Sequence, residues 1–150
     1  MAYTKIVVVS DAACRVPNAH LPGRSRVGKA ACGFVILDEQ EVVLLEGGKH
    51  LGELTVPQAE YNGLIYALDS ACSQGRGNVD VWLDSEFIVK QLNGDYRIKS
   101  DNMKPLYDEV KKLERRFTGK ISYFHHPRTA KWAKQADHLA NAELNKKMAP

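Results

Sequence analysis

A chain of 150 residues is long enough to bury one compact core and too short for two ordinary domains, so a single domain over 1–150 is expected. Hydrophobic residues make up 44% and charged residues 26%, a balance that excludes disordered and fibrous classes. The net charge of +3 hides an asymmetry: residues 1–84 carry seven Lys/Arg against ten Asp/Glu, and residues 85–150 carry fourteen against eight. An acidic half able to hold a cation is thus joined to a basic half suited to a polyanion, although Lys111, Lys112, Arg115 and Arg116 also read as a solvated helix face.

Lys5–Ser10 is rich in β-branched residues and predicts a central strand, buried on both faces, that runs into Asp11. Its apolar run, Ile6–Val9, is far too short to span a bilayer, and the N-terminus lacks the basic-then-apolar layout of a secretion signal. A cytoplasmic protein with no membrane partner is therefore expected. Residues 12–30 hold Pro17, Pro22, Gly23 and Gly28 without a regular period and read as one long loop. Cys32–Leu37 and Val42–Glu46 predict a hairpin that makes three consecutive antiparallel strands. Cys14, Cys32 and Cys72 are odd in number and form no Cys-x-x-Cys pair, so they read as reduced, mostly buried thiols.

The period changes after Thr55, where Tyr61, Leu64, Ile65, Leu68, Ala71 and Cys72 repeat with helical spacing. Thr55 is placed to cap this helix, Gln58 to reach back to it, and Pro57 is tolerated in its first turn. Gly75-Arg76-Gly77 is expected to close it, and Val79–Leu83 predicts a parallel strand ending at Asp84. Residues 85–92 predict a short helix, and Leu106, Val110, Leu113 and Phe117 mark another. Ile121–Phe124 is the fifth strand. A loop with His125, His126, Pro127 and Trp132 leads to a last helix built on Ala136, Leu139, Ala140 and Leu144. The order β-β-β-α-β-α-α-β-α gives an α/β fold, and with no strongly apolar exposed stripe the protein is expected to be a monomer.

Asp11 and Asp84 fall at strand ends, where open α/β sheets gather their ligands, and Glu60 and Asp137 lie on helices able to return to the same edge. Taken singly, each has a structural explanation: Asp11 ends a strand, Glu60 favours a helix start, Asp84 caps, and Asp137 sits on a solvated face. Taken together, four converging carboxylates repel unless cations compensate, and an all-oxygen donor set suits Mg²⁺ or Mn²⁺. Two such ions serve phosphodiester hydrolysis.

Three stretches carry a resemblance: Thr55-Val-Pro-Gln-Ala-Glu-Tyr-Asn-Gly-Leu-Ile-Tyr-Ala-Leu68, the long run Asp84-Ser-Glu-Phe-Ile-Val-Lys-Gln-Leu-Asn-Gly-Asp-Tyr-Arg-Ile-Lys-Ser100, and Ala136-Asp-His-Leu-Ala-Asn-Ala142. They resemble the ribonuclease H family, in particular its short archaeal and bacterial type without a basic protrusion. The resemblance implies a five-stranded mixed sheet flanked by helices and hydrolysis of the RNA strand of an RNA–DNA hybrid with two Mg²⁺ ions, leaving 5′-phosphate and 3′-hydroxyl ends. It implies that Asp11 bridges both ions, that Asp137 completes the ion activating water, and that Glu60 and Asp84 hold the ion facing the leaving 3′ oxygen. His126, or alternatively His125, would be the loop histidine that relays protons or helps product leave. Thr55 would seat a DNA phosphate, Ala12, Ala13 and Gln58 would stand among the substrate-contacting positions, and Lys90, Arg97, Lys99 and Lys104 would meet the duplex backbone.

The sequence departs from that family at Ala12, where glycine is usual, and at Val56-Pro57, where asparagines commonly read the RNA strand. The long loop, with Arg15, His20, Arg24, Arg26 and Lys29, offers another grip on nucleic acid, and Trp132 is placed either to stack on a base or to fill the core. Two further readings fit these residues: a hybrid-binding module without efficient cleavage, and a related nuclease acting on structured DNA.

Overall fold

The computed structural model describes residues 3–17, 26–125 and 130–146. In chain order these form β1 (Tyr3–Arg15), β2 (Gly28–Leu37), β3 (Val43–Leu54), α1 (Val56–Ala71), β4 (Gly75–Leu83), α2 (Glu86–Leu92), α3 (Lys104–Glu114), β5 (Ile121–His125) and α4 (Lys131–Asn145). The strands make one mixed sheet in the order β3-β2-β1-β4-β5. β1, β2 and β3 pair antiparallel, whereas β4 joins β1, and β5 joins β4, in parallel. The α/β fold and the five-stranded mixed sheet expected from the sequence are both present.

β1 is central and carries apolar residues on both faces, which only a sheet covered on both sides accommodates. Ile6 and Val8 join Phe34, Ile36, Tyr61, Leu64, Leu68, Val79 and Val81 in the core beneath α1. The alternate residues face α4, and successive side chains of a strand point to opposite faces. At Cys32 and Gly33 the chain shows this directly. A Cβ on Gly33 would stand 2.1 Å from the carbonyl oxygen of Ala136 in α4, and a Cβ on Gly63 in α1 would stand 2.8 Å from the Cβ of Cys32. The two helices therefore press on opposite faces of the sheet at one level, and each contact needs a glycine: at Gly33 the backbone of α4 occupies the place of a side chain, and at Gly63 the Cβ of Cys32 does.

Local chemistry sets the helix starts. Thr55 Oγ1 accepts from the Gln58 N–H at 3.3 Å while Gln58 Oε1 accepts from the Thr55 N–H at 3.0 Å, the reciprocal cap expected for α1. The cap of α2 is Ser85, whose Oγ accepts from the Ile88 N–H at 3.3 Å, and not Asp84 as one reading of the sequence had it.

Three expectations are corrected. Residues 12–30 are not one loop: β1 runs on to Arg15 and β2 begins at Gly28, held by pairs from Asp11↔Gly33 to Arg15↔Lys29. Small residues at Ala12, Ala13, Ala30 and Ala31 gave no alternating signal, and backbone pairing decided the matter. Gly75-Arg76-Gly77 belongs to β4, and α1 stops at Ala71 with Cys72 as its C-cap. Trp132 is not in a loop but in the first turn of α4, where its Nε1–H donates to Glu41 Oε1 at 2.9 Å. Of the thiols, Cys32 is buried and Cys14 and Cys72 are partly so, all three free.

Candidate active site

β1 and β4 run side by side up to the pair Ser10↔Leu83, after which β1 continues with β2 alone. The parting strands open a notch at the carboxyl end of β4, where β1 loses its parallel neighbour and keeps its antiparallel one, and ligands of such sheets bind outside strand carboxyl ends where the topology switches. Asp11 is the first residue of β1 beyond the parting and Asp84 the first beyond β4. Glu60 lies on the second turn of α1, a helix that Gly63 lets close on Cys32, the Asp11 carbonyl and the Ser10 hydroxyl. The notch is a cavity of about 10 Å³, room for one water-sized occupant, lined by Ser10, Asp11, Ala12, Glu60, Leu83, Asp84, Ser85 and Ile88.

Three of the four expected carboxylates are thus brought to one cavity. Asp11 is only 7% exposed, and its Oδ1 accepts the Ala12 N–H at 2.9 Å. Asp137 does not line this cavity. It approaches from the other face, because Asp11 is paired with Gly33 and Gly33 is covered by Ala136 and Ala140 of α4. Its Oδ1 accepts the Asn141 side-chain amide at 3.2 Å, and Asn141 in turn accepts from Arg15 at 3.3 Å. Among the described residues no three ligating side chains form a ready cage for an ion. Mg²⁺ fits such a site nonetheless, since it keeps several waters and binds through one or two carboxylates plus substrate phosphate.

Beside the notch lies a groove of about 990 Å³ lined by Thr55, Gln58, Tyr61, Phe87, Gln91, Tyr96, Arg97 and Lys99, among others. Tyr61 donates its hydroxyl to Gln91 Oε1 at 2.6 Å, a buried pair under the groove, and burial pushes the phenol above its ordinary range. Phe87 and Tyr96 are exposed, 5.6 Å apart, with the Lys90 ammonium 5.4 Å from the Tyr96 ring. Aromatic faces beside cations suit a polyanion that also offers rings to stack upon.

A family model described as reverse transcriptase-like matches residues 22–143. The ribonuclease HI of Halobacterium salinarum is 33% identical over 141 residues, covering 93% of this chain and 69% of that protein. This chain belongs to the ribonuclease H family. Among solved structures, the N-terminal RNase H domain of a Mycobacterium tuberculosis protein, fused to maltose-binding protein, superposes with a TM-score of 0.81 at 30% identity, covering 95% of this chain and 94% of that one. LC11-RNase H1 in complex with an RNA/DNA hybrid gives 0.77 at 29% identity, covering 91% and 94%. A curated bifunctional M. tuberculosis protein is 34% identical over 123 residues, and this chain spans 33% of its length.

Within this ribonuclease H fold, the sequence-predicted residues divide clearly. Asp11, Ala12, Glu60 and Asp84 meet at the notch, while Thr55, Gln58, Arg97 and Lys99 line the groove. Lys90 stands at the groove's edge beside Tyr96, 3.9 Å from Glu86. Ala13 is half-buried in the β1–β2 ladder and lines neither cavity. Lys104 bonds Asp108 at 2.7 Å on α3. His126 lies outside the described residues, as do His20 and Arg24, whereas His125 ends β5 and is exposed. Phe87 and Tyr96 were missed. They stand in the stretch most like the family, and their exposure is visible only once α2 is docked.

Proposed function

We propose that this ribonuclease H hydrolyses the RNA strand of RNA–DNA hybrids at the β1/β4 notch, with a pair of Mg²⁺ ions, or Mn²⁺ in their place. The observation that carries the proposal is the meeting of Asp11, Glu60 and Asp84 in one small cavity where β1 and β4 part, with Asp137 on the helix packed against the same stretch of β1. Asp11, between the two helices, would be shared by the ions, with Asp137 completing one site and Glu60 and Asp84 the other. Bound there, the ions supply activation of water and neutralisation of the charge that builds on the phosphodiester, giving 5′-phosphate and 3′-hydroxyl products.

The chain's own residues hold and orient the duplex. Thr55 Oγ1 accepts the Gln58 N–H and keeps its hydroxyl hydrogen to donate to a phosphate oxygen of the DNA strand at the N-terminus of α1, where the helix dipole favours negative charge. Arg97 and Lys99 line the groove that this strand would follow, with Phe87 and Tyr96 against its sugars and bases and Lys90 at its edge. Contacts of this kind read backbone and not sequence. His126, or alternatively His125, is the loop histidine proposed to relay protons or help product leave.

A binding module that no longer cuts is favoured by one observation: Val56, at the first helical position of α1, presents an exposed apolar side chain, and neither it nor Pro57 has a hydrogen-bonding group for a 2′ hydroxyl. An end-labelled hybrid incubated with Mg²⁺ or Mn²⁺, beside RNA duplex, DNA duplex and single strands, separates the readings. Cleavage of hybrid RNA that is lost in Asp84→Asn is the expected result. Hybrid binding without cutting under either metal would leave only the module, and cutting confined to branched DNA would assign a different substrate.

A further inference from the structure

Asp137, Asn141 and Asn145 recur every four residues and form one stripe along α4. Asp11, Ala13 and Arg15 alternate onto one face of β1, the face that α4 covers at Gly33. Four strand residues advance about 13 Å and eight helical residues about 12 Å, so the two stripes keep pace along their length. Arg15 donates to Asn145 Oδ1 at 2.8 Å and to Asn141 Oδ1 at 3.3 Å. Gripping the helix there brings Asp137, two turns back, level with Asp11.

The chemistry of this chain has a direction. A guanidinium only donates, so Arg15 claims the amide oxygen of Asn141 and turns its NH₂ toward Asp137. That group donates to Asp137 Oδ1 at 3.2 Å and to the Asp137 carbonyl at 3.0 Å. A carboxylate only accepts, so a flipped Asn141 would set oxygen against oxygen. Arg15 thereby fixes which way the amide points, and the amide fixes the carboxylate.

We propose that Arg15, acting through Asn141, is a positioning residue that aims the Asp137 carboxylate at the ion site beside Asp11. The inference rests on the ion-binding reading above and adds residues that reach neither ion nor substrate. Partners of this outer kind typically change metal affinity 10–100-fold, and the exposure of Arg15 places it near the lower end, at about tenfold.

The test titrates Mn²⁺ alone into the substrate-free protein by calorimetry, for the wild type, Arg15→Ala, Arg15→Lys, Asn141→Ala and the double alanine variant, with thermal melts to confirm folding. Arg15→Ala and Asn141→Ala should each weaken Mn²⁺ roughly tenfold. Arg15→Lys should recover most of the loss, and the double variant should be no weaker than Asn141→Ala, because the two side chains act in series. Hybrid cleavage should then need correspondingly more Mg²⁺ while its rate at saturating ion returns toward that of the wild type. Unchanged Mn²⁺ affinity in both single variants overturns the inference. So does an Arg15→Ala effect confined to a shallower salt dependence of hybrid binding, the mark of a phosphate contact. A wild type that binds no Mn²⁺ overturns the ion-site reading itself.

Discussion

Gly33 shows how much one side chain decides in this molecule. It pairs with Asp11 across the β1–β2 ladder and lies under the backbone of α4, so any Cβ there collides with the Ala136 carbonyl oxygen and the Ala140 nitrogen. A carbonyl cannot rotate away as a flexible side chain can, and the whole helix must lift. Gly33→Ala is expected to destabilise the fold by about 3 kcal/mol, at the upper end for overpacking, and to displace Asp137 from Asp11. Thermal melting together with Mn²⁺ titration checks both; an unaltered melting temperature would mean that α4 sits further from the sheet. Asp11 itself was legible in the sequence as a carboxylate at a strand end. Its burial was not, because burial depends on what the two flanking helices cover.

In the proposed reading, α1 joins stability to binding at its first turn. Thr55 and Gln58 satisfy each other's backbone N–H groups, and the same Thr55 lines the groove. Thr55→Ala should cost about 1 kcal/mol of stability from the lost cap and should also weaken hybrid binding, whereas Thr55→Ser should retain most of both. Urea melts and hybrid titrations of the two variants separate the contributions, and a Thr55→Ala that binds hybrid normally would confine the residue to capping. The cap could be read from sequence because it is local, spanning four residues. The extensions of β1 to Arg15 and of β2 back to Gly28 could not, because a ladder between segments of alanine, glycine and cysteine has no periodic signature of its own.

The whole molecule places several protonatable groups in an apolar interior, which makes its stability sensitive to alkali. Burial pushes the Cys32 thiol up to about 11 from an ordinary 9.0, and burial also raises the Tyr123 phenol, helped by its bond to Glu114, and the Tyr61 phenol. In the unfolded chain these groups ionise at their ordinary values, so the stability they contribute as neutral groups is intact below pH 9 and is lost as pH rises through about 11 and beyond. Urea midpoints should be flat between pH 7 and 8.5 and fall steeply from pH 9 to 11. A flat profile to pH 11 would mean that these side chains reach water in the native state.

The sequence by itself determined the order of the elements and the capping of α1, and it singled out four carboxylates as candidates, since each of these is written in local spacing or in a stretch similar to a known family. Only the tertiary structure decided that β1 and β4 part directly after Ser10 and Leu83 to form the notch. It alone showed that Phe87 and Tyr96 share a groove with Thr55, and that Arg15 reaches Asn141. Those facts join residues up to 126 positions apart. Long-range pairing of this kind follows from how helices close over a sheet, which no single stretch of chain encodes.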